Sequence, residues 1–341
     1  MNDFSALTMT DIIRLQNQLQ QELTRRFERP MALVFSDIVG STPYFARFGD
    51  AAGRQLQQLH LDLLAACVDG PGGRIVDNVG DGAFIVFPSV AAAVAGVIDF
   101  QGQAARANET RGHQHQLQVR IGIHWGLALT DGQAVSGDAV NLCSRVATST
   151  DPGEVRLTRA VFHELDREHR LNCRPLGEVL LKGFEQPVEL MALEWRDPTK
   201  FPRSLVIEQT DERIALPRQD IITFGRLLSH NGARANDVVL NHPDPERLRQ
   251  ISRWHFELRR SEHGLSLLAL SDSVTSVDGE RVERGATLPV RAGSRIGVAD
   301  VLTLRLLGSE SPISDIEGGS TMVQLRSPPA AAPSPAPPTR L

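Results

Sequence analysis

Cysteine is scarce and tyrosine almost absent: 341 residues hold three cysteines and one tyrosine, and aromatics make up 5% of the chain. Cys67, Cys143 and Cys173 show neither metal-ligand spacing nor a disulfide framework, which excludes a zinc ribbon and a secreted, bridge-rich domain. They read as reduced thiols packed as small apolar groups. Long hydrophobic runs are missing too. The longest low-polarity stretch, 90–98, falls far short of the roughly 20 residues a spanning helix needs. The first residues lack the charged-then-apolar pattern of a leader, so the expectation is a cytoplasmic chain with no membrane partner. Positive charge is not in excess: 36 Lys and Arg against 41 Asp and Glu give a net charge of -5. That argues against a nucleic-acid polymer as partner.

What is present is ordinary globular material, 41% hydrophobic and 23% charged, with length for two domains of about 150 residues each. Residues 1–30 read as an amphipathic helix, with Thr10 as N-cap, an apolar stripe of Ile12, Leu15, Leu19, Leu23 and Phe27, and Pro30 as stop. The stripe suits either a helix packed on its own domain or a short parallel dimer helix. Over 31–196 strands (31–36, 74–79, 83–87, 118–125, 154–158, 172–181, 188–195) interleave with helices (53–68, 90–107, 139–148, 159–165). Such interleaving indicates a sheet with helices on it, of α/β or α+β class. A linker follows at 197–203. The segment 204–308 has short Val-, Ile- and Leu-rich runs cut by turn residues, a β-sandwich texture. The tail 309–341, rich in Pro, Ala and Ser, reads as disordered.

Asp37 closes an apolar strand, and Asp81 sits between Gly80 and Gly82 in a tight turn joining two strands. Two carboxylates aimed at one spot need a cation between them, and hard oxygen ligands suit Mg²⁺. Aspartate beside glycine is equally a common hairpin signal.

Five ordered strings go further: Phe35–Thr42, Val79-Gly80-Asp81-Gly82, Arg120–Gly126, Gly137–Arg145 and Lys182–Val188. Together they resemble the catalytic domain of class III nucleotide cyclases, the adenylate and guanylate cyclases. The resemblance implies a ferredoxin-like βαββαβ core within an α+β chain, acting as a homodimer with sites between two copies. It makes Asp37 and Asp81 the metal-binding aspartates and the Ile38 carbonyl a further ligand, for two Mg²⁺ or Mn²⁺ per active site. Asn141 and Arg145, four apart on one helix face, match the pair that positions the ribose and stabilises the transition state; Lys182 matches the lysine on the terminal phosphates. The implied reaction is in-line displacement: the ribose 3′-hydroxyl attacks the α-phosphorus, forming the 3′,5′-cyclic nucleotide and releasing pyrophosphate. The purine-reading positions fall on Asp77, where adenylate cyclases usually carry Lys, and on Ala134. An acid there suits guanine, whereas Ala134 offers no second polar contact, so ATP and GTP both remain open as substrate.

In the β-rich segment, Phe224-Gly225-Arg226, Asn236–Leu240, Ile251-Ser252-Arg253-Trp254-His255 and Val277–Val282 resemble a forkhead-associated (FHA) domain, an all-β sandwich that reads phosphothreonine. The resemblance puts Arg226 and Ser252 on the phosphate, with Arg253 lending charge and His255 bracing the loop. The family's Asn is here Ser273. The implied partner is a phosphothreonine protein, or the chain's own tail phosphorylated at Thr321. A competing reading is a catalytically weak cyclase fold that senses nucleotide or dimerises as a scaffold for the FHA domain. A polymerase palm, which shares a two-aspartate core, conflicts with the acidic balance and the Asn141/Arg145 helix.

Overall fold

Helix α1 spans Met9–Phe27 and begins in a capping box: the Asp11 backbone N–H donates to Thr8 Oγ1 at 3.3 Å, and the Thr8 N–H donates to the Asp11 carboxylate at 3.2 Å. The cap is therefore Thr8, not Thr10, because only Thr8 has an acid three residues on. The computed structural model describes residues 8–78, 80–197, 200–230, 233–261 and 263–308; the tail with Thr321 lies outside them. No residue of α1 is buried, and Ile12, Leu19, Leu23 and Phe27 are exposed, so the stripe is not packed on its own domain.

Strand β1 (Glu28–Ile38) follows at once, three residues earlier than the sequence suggests. Pro30 does not stop the helix; it lies inside the strand. It is tolerated because β1 there pairs only with Leu127 on one side, its pairing on the other side starting at Ala32. The order continues α2 (Ser41–Val68), β2 (Arg74–Asp77), β3 (Gly82–Phe87), α3 (Val90–Glu109), β4 (Val119–Thr130), β5 (Val135–Ser136), α4 (Asp138–Thr148), β6 (Val155–Thr158), α5 (Arg159–Glu164), α6 (Arg167–Leu171), β7 (Cys173–Val179) and β8 (Val188–Leu193). Helix α2 begins twelve residues before the expected 53, bent where Gly49 takes φ 82°. The sheet runs β2-β3-β1-β4-β6-β8-β7, with β5 on β4. Its first four strands, with α2 and α3, form the βαββαβ ferredoxin-like unit.

Alternation splits the sheet into two faces. Ala32, Val34, Ile85, Ile121 and Ile123 meet Leu64, Val94 and Phe100 of α2 and α3. Met31, Leu33 and Phe84 meet Cys143 of α4. The second half is a sandwich. Its six-stranded sheet includes Ser204–Ile207, Arg295–Val298 and Leu302–Leu307; its five-stranded sheet includes Ile221–Gly225, Phe256–Ser261 and Gly264–Ala269. Phe224 and Phe256 stack between them at 4.4 Å. One short helix, Pro245–Gln250, interrupts the β texture, capped by Asp244.

The halves are joined by polar contacts. Asn108 Nδ2 donates to Leu117 O at 2.9 Å and to Asp220 Oδ2 at 2.8 Å. His113 Nε2 lies 3.4 Å from Asp237 Oδ2, an ion pair when the ring is charged.

Candidate functional site

Asp37 and Arg120 are register partners on β1 and β4, on the α4 face of the sheet. Arg120 Nε donates to Asp37 Oδ2 at 2.7 Å, and its Nη1 donates to the carbonyl of Thr148, the last residue of α4, at 3.2 Å. Asp81 lies in the β2–β3 turn, entered through Gly80 at φ 73°. Its carbonyl accepts the Ile38 N–H at 3.1 Å, and its carboxylate accepts the Ser41 hydroxyl. Gly82 pairs with Asp37, and a Cβ on it would stand 3.7 Å from Asp37 Oδ1. Both carboxylates thus belong to adjacent strand ends. Burial pushes the Asp37 carboxyl up, Arg120 pulls it down, and the Asp81 charge adds to the rise, leaving it raised. Among the described residues no three His, Cys, Asp or Glu side chains converge. The available donors are therefore two carboxylates and a backbone carbonyl, and a cation would relieve the repulsion between the acids. Beneath them Ser36 Oγ and His60 Nε2 are 2.8 Å apart, and burial holds His60 neutral, at about 4.

Helix α4 presses on β4 at Gly122, where a Cβ would come within 2.4 Å of Ala147 N. Cys143, Val146 and Ala147 face the sheet, so the opposite face presents Asn141 and Arg145 to solvent. Lys182 is exposed in the turn between β7 and β8, next to Gly183 at φ 86°. Among the described residues, no hydrogen bond or ion pair links Asn141, Arg145 or Lys182 to Asp37 or Asp81. Strands β3 and β8 are four spacings apart in the sheet order, about 19 Å. The acids lie at adjacent strand ends, and Asn141 and Arg145 on the exposed face of α4.

Asp77 and Ala134 are exposed. Asp77 Oδ1 accepts the Asn78 N–H at 2.8 Å, and the Ala134 N–H donates to Asp131 Oδ1 at 2.9 Å. Arg74 Nη1 donates to Gln133 O at 2.7 Å, drawing β2 and the β4–β5 turn together.

At one end of the sandwich, Arg226 N donates to Ser252 O at 3.0 Å, and Ser252 Oγ and Ser273 Oγ are hydrogen-bonded at 2.8 Å. Gly225 permits this approach, since a Cβ there would meet Arg253 O at 2.1 Å. Asn236 Nδ2 ties Leu227 O and Arg253 O, each at 2.8 Å. His255 is fully buried; its Nδ1 accepts the Ser252 N–H at 3.2 Å and its Nε2 lies 3.3 Å from Val274 O, a bracing position. Arg226 Nε is buried with no hydrogen-bond partner among the described residues. Arg253 is exposed.

Two features had no role at the level of sequence. Arg120 was visible only as part of a motif, although an acid and a base on strands that pair would have been a clue. The crosslinks made by Asn108 and His113 depend on packing between distant segments and leave no local mark; Asn236 was visible only as part of a motif.

The family model described as Adenylate and Guanylate cyclase catalytic domain matches residues 25–194, and that for the FHA domain matches residues 222–299. The putative adenylate cyclase 3 of Rhizobium meliloti is 23% identical over 209 residues, covering 61% of this chain and 35% of its own length. An uncharacterized protein of Mycobacterium tuberculosis is 33% identical over 147 residues, 42% of this chain and 36% of that protein. The chain spans about a third or less of the first curated relatives it matches. Among solved structures, the adenylyl cyclase CyaB from P. aeruginosa aligns with a TM-score of 0.44 and 23% identity, over 49% of this chain and 94% of that one. No helix among the described residues is long and apolar enough to cross a membrane. The chain thus joins an adenylate and guanylate cyclase catalytic domain to an FHA domain.

Proposed function

We propose that the chain makes a 3′,5′-cyclic nucleotide and pyrophosphate from ATP or GTP in a homodimer, with catalysis in 31–196 and control by a phosphothreonine-reading module in 204–308. The observation that carries this reading is the separation described above: Asp37 and Asp81 converge, while Asn141, Arg145 and Lys182 point to solvent elsewhere. In this reading a second copy brings the two sets together. Asp37, Asp81 and the Ile38 carbonyl would hold Mg²⁺ or Mn²⁺, two per site, and bound there the ions would lower the pKa of the attacking hydroxyl and neutralise phosphate charge. Arg145 of the other copy stabilises negative charge on the transferring phosphoryl group, and Asn141 fixes the ribose. Lys182 holds the terminal phosphates. Asp77 and Ala134 face the base. The relatives named as adenylate cyclases favour ATP, while an acid at position 77 favours GTP. The cysteines are free thiols, which suits a reducing, cytoplasmic setting.

In the sandwich, the orphan Arg226 Nε and the Ser252 hydroxyl would hold a phosphate, with Ser273 orienting Ser252 and Arg253 adding charge. Phosphorylated Thr321, tethered to the same chain, is a candidate ligand whose effective concentration would compensate for a weak site. A pull-down with a phospho-Thr321 peptide against its unphosphorylated form tests that part. The test of the whole reading is an assay of the purified chain with Mn²⁺ and either ATP or GTP, resolving the products. Cyclic nucleotide should form and vanish in Asp81→Ala; a folded dimer that makes none from either substrate overturns it.

A further inference from the structure

A cleft of about 350 Å³ opens where the residues after β8 meet the sandwich, lined by none of the residues assigned to the two sites above. Its floor holds two acids, Glu154 and Glu194, which are 3% and 13% exposed at the side chain. Four arginines share them. Arg156 Nε lies 2.8 Å from Glu154, Arg218 Nη2 2.8 Å from Glu194, Arg174 3.4 Å from Glu154, and Arg203 3.4 Å from Glu194. Arg156 also reaches Asp151 at 2.8 Å, and Arg196 is taken by Asp220. Arg260, buried in the opposite wall, has no carboxylate at ion-pairing distance among the described residues. Its Nη1 donates to the carbonyls of Pro217 and Gln219. Five arginines and three acids line the cleft, and Arg156 and Asp220 pair with its lining residues from behind. Crowded, buried positive charge is costly: burial and the nearby Arg196 and Arg218 drive Arg260 down to about 9, against the opposing influence of the Asp220 charge.

We propose that this cleft binds a small, multiply charged phosphate-type anion, held jointly by arginines of the catalytic half (Arg174, Arg196) and of the sandwich (Arg218, Arg260). Planar guanidinium forks match phosphate oxygens, and such an anion supplies the missing negative charge. Bound there, it would bridge the two halves. The inference stands apart from the catalytic reading.

Trp195 forms part of the wall, its Nε1 donating to Gly153 O at 3.0 Å and its ring 4.1 Å from the Arg196 guanidinium carbon. It serves as the reporter. The full chain carrying Trp125→Phe and Trp254→Phe keeps Trp195 as its one tryptophan, and is titrated with sodium pyrophosphate in EDTA, with sulfate at matched ionic strength as control. A saturable emission change is expected. Arg218→Gln and Arg260→Met should each weaken it at least about tenfold, whereas Arg226→Ala and Lys182→Ala should leave it in place. If Arg260→Met does not fold, Arg218→Gln, at a part-exposed position, decides. No saturable change, equal affinity in Arg218→Gln, or pyrophosphate binding no tighter than sulfate (an adventitious ion only) overturns the proposal.

Discussion

Arg120 and Asp37 face each other across β1 and β4, and the guanidinium holds the carboxylate from one side while Asp81 repels it from the other. The same guanidinium reaches the end of α4, so one side chain connects the acid pair with the helix that presents Asn141 and Arg145.

Removing Arg120 takes away the influence that lowers the Asp37 pKa and leaves those that raise it. Ionised Asp37 is the form that attracts a cation, so activity is lost as pH falls through its pKa. In Arg120→Gln the acid limb of the kcat profile should move to higher pH. Profiles of the two proteins that superimpose would separate Arg120 from the chemistry.

Mixing two inactive variants tests the shared site. Asp37→Ala and Arg145→Ala should each be inactive alone. In mixed dimers one of the two sites keeps both Asp37 and Arg145, so about a quarter of wild-type activity should return when half of the dimers are mixed. Product formation is the measurement, with native mass spectrometry counting mixed dimers. Mixed dimers without activity would falsify the shared geometry.

Gly122→Ala should damage fold and activity together. Its methyl would need to enter the 2.4 Å gap to the Ala147 backbone, which cannot rotate aside. Forced overpacking of this kind costs about 1–3 kcal/mol. A lower urea midpoint and a lower kcat should appear together, because the displaced element is α4.

The His113–Asp237 contact makes the junction pH-sensitive. The nearby Asp237 carboxylate, 3.4 Å away, outweighs burial and raises the His113 pKa above its usual value; for Asp237, burial raises while His113 and the Thr223 hydrogen bonds lower, leaving about 2. A raised histidine contributes stability that is complete below its ordinary value and lost as pH rises through the raised one. With His113 partly exposed, the contribution is on the order of 0.5 kcal/mol. Tm should fall slightly between pH 6 and 8.5, and His113→Gln should flatten that part of the curve; an unchanged slope would remove the contact from the account.

Strong local patterns were readable in advance. The apolar runs of β1 and β3 return as central strands covered on both faces, and the helical period over 90–107 and 139–148 as two helices with one buried face. The positions of Asp37 and Asp81 at strand ends followed from the same pattern. What escaped was either very short or non-local. The one-turn helices α6 and Pro245–Gln250 depend on caps from Asp166 and Asp244, not on an apolar stripe. The start of α1 turned on which of two threonines has an acid three residues later. Arg120 gained its partner only through strand register, and Arg260 its isolation only through the docking of the two halves.

Phe27 ends α1 and Glu28 begins β1, with no residue between them to act as a joint. Asp37 stands at the other end of that strand, about 30 Å along. Helix and strand are thus coupled like a shaft welded to a lever. A change in the direction of the exposed helix therefore bears directly on the strand that ends in the carboxylate.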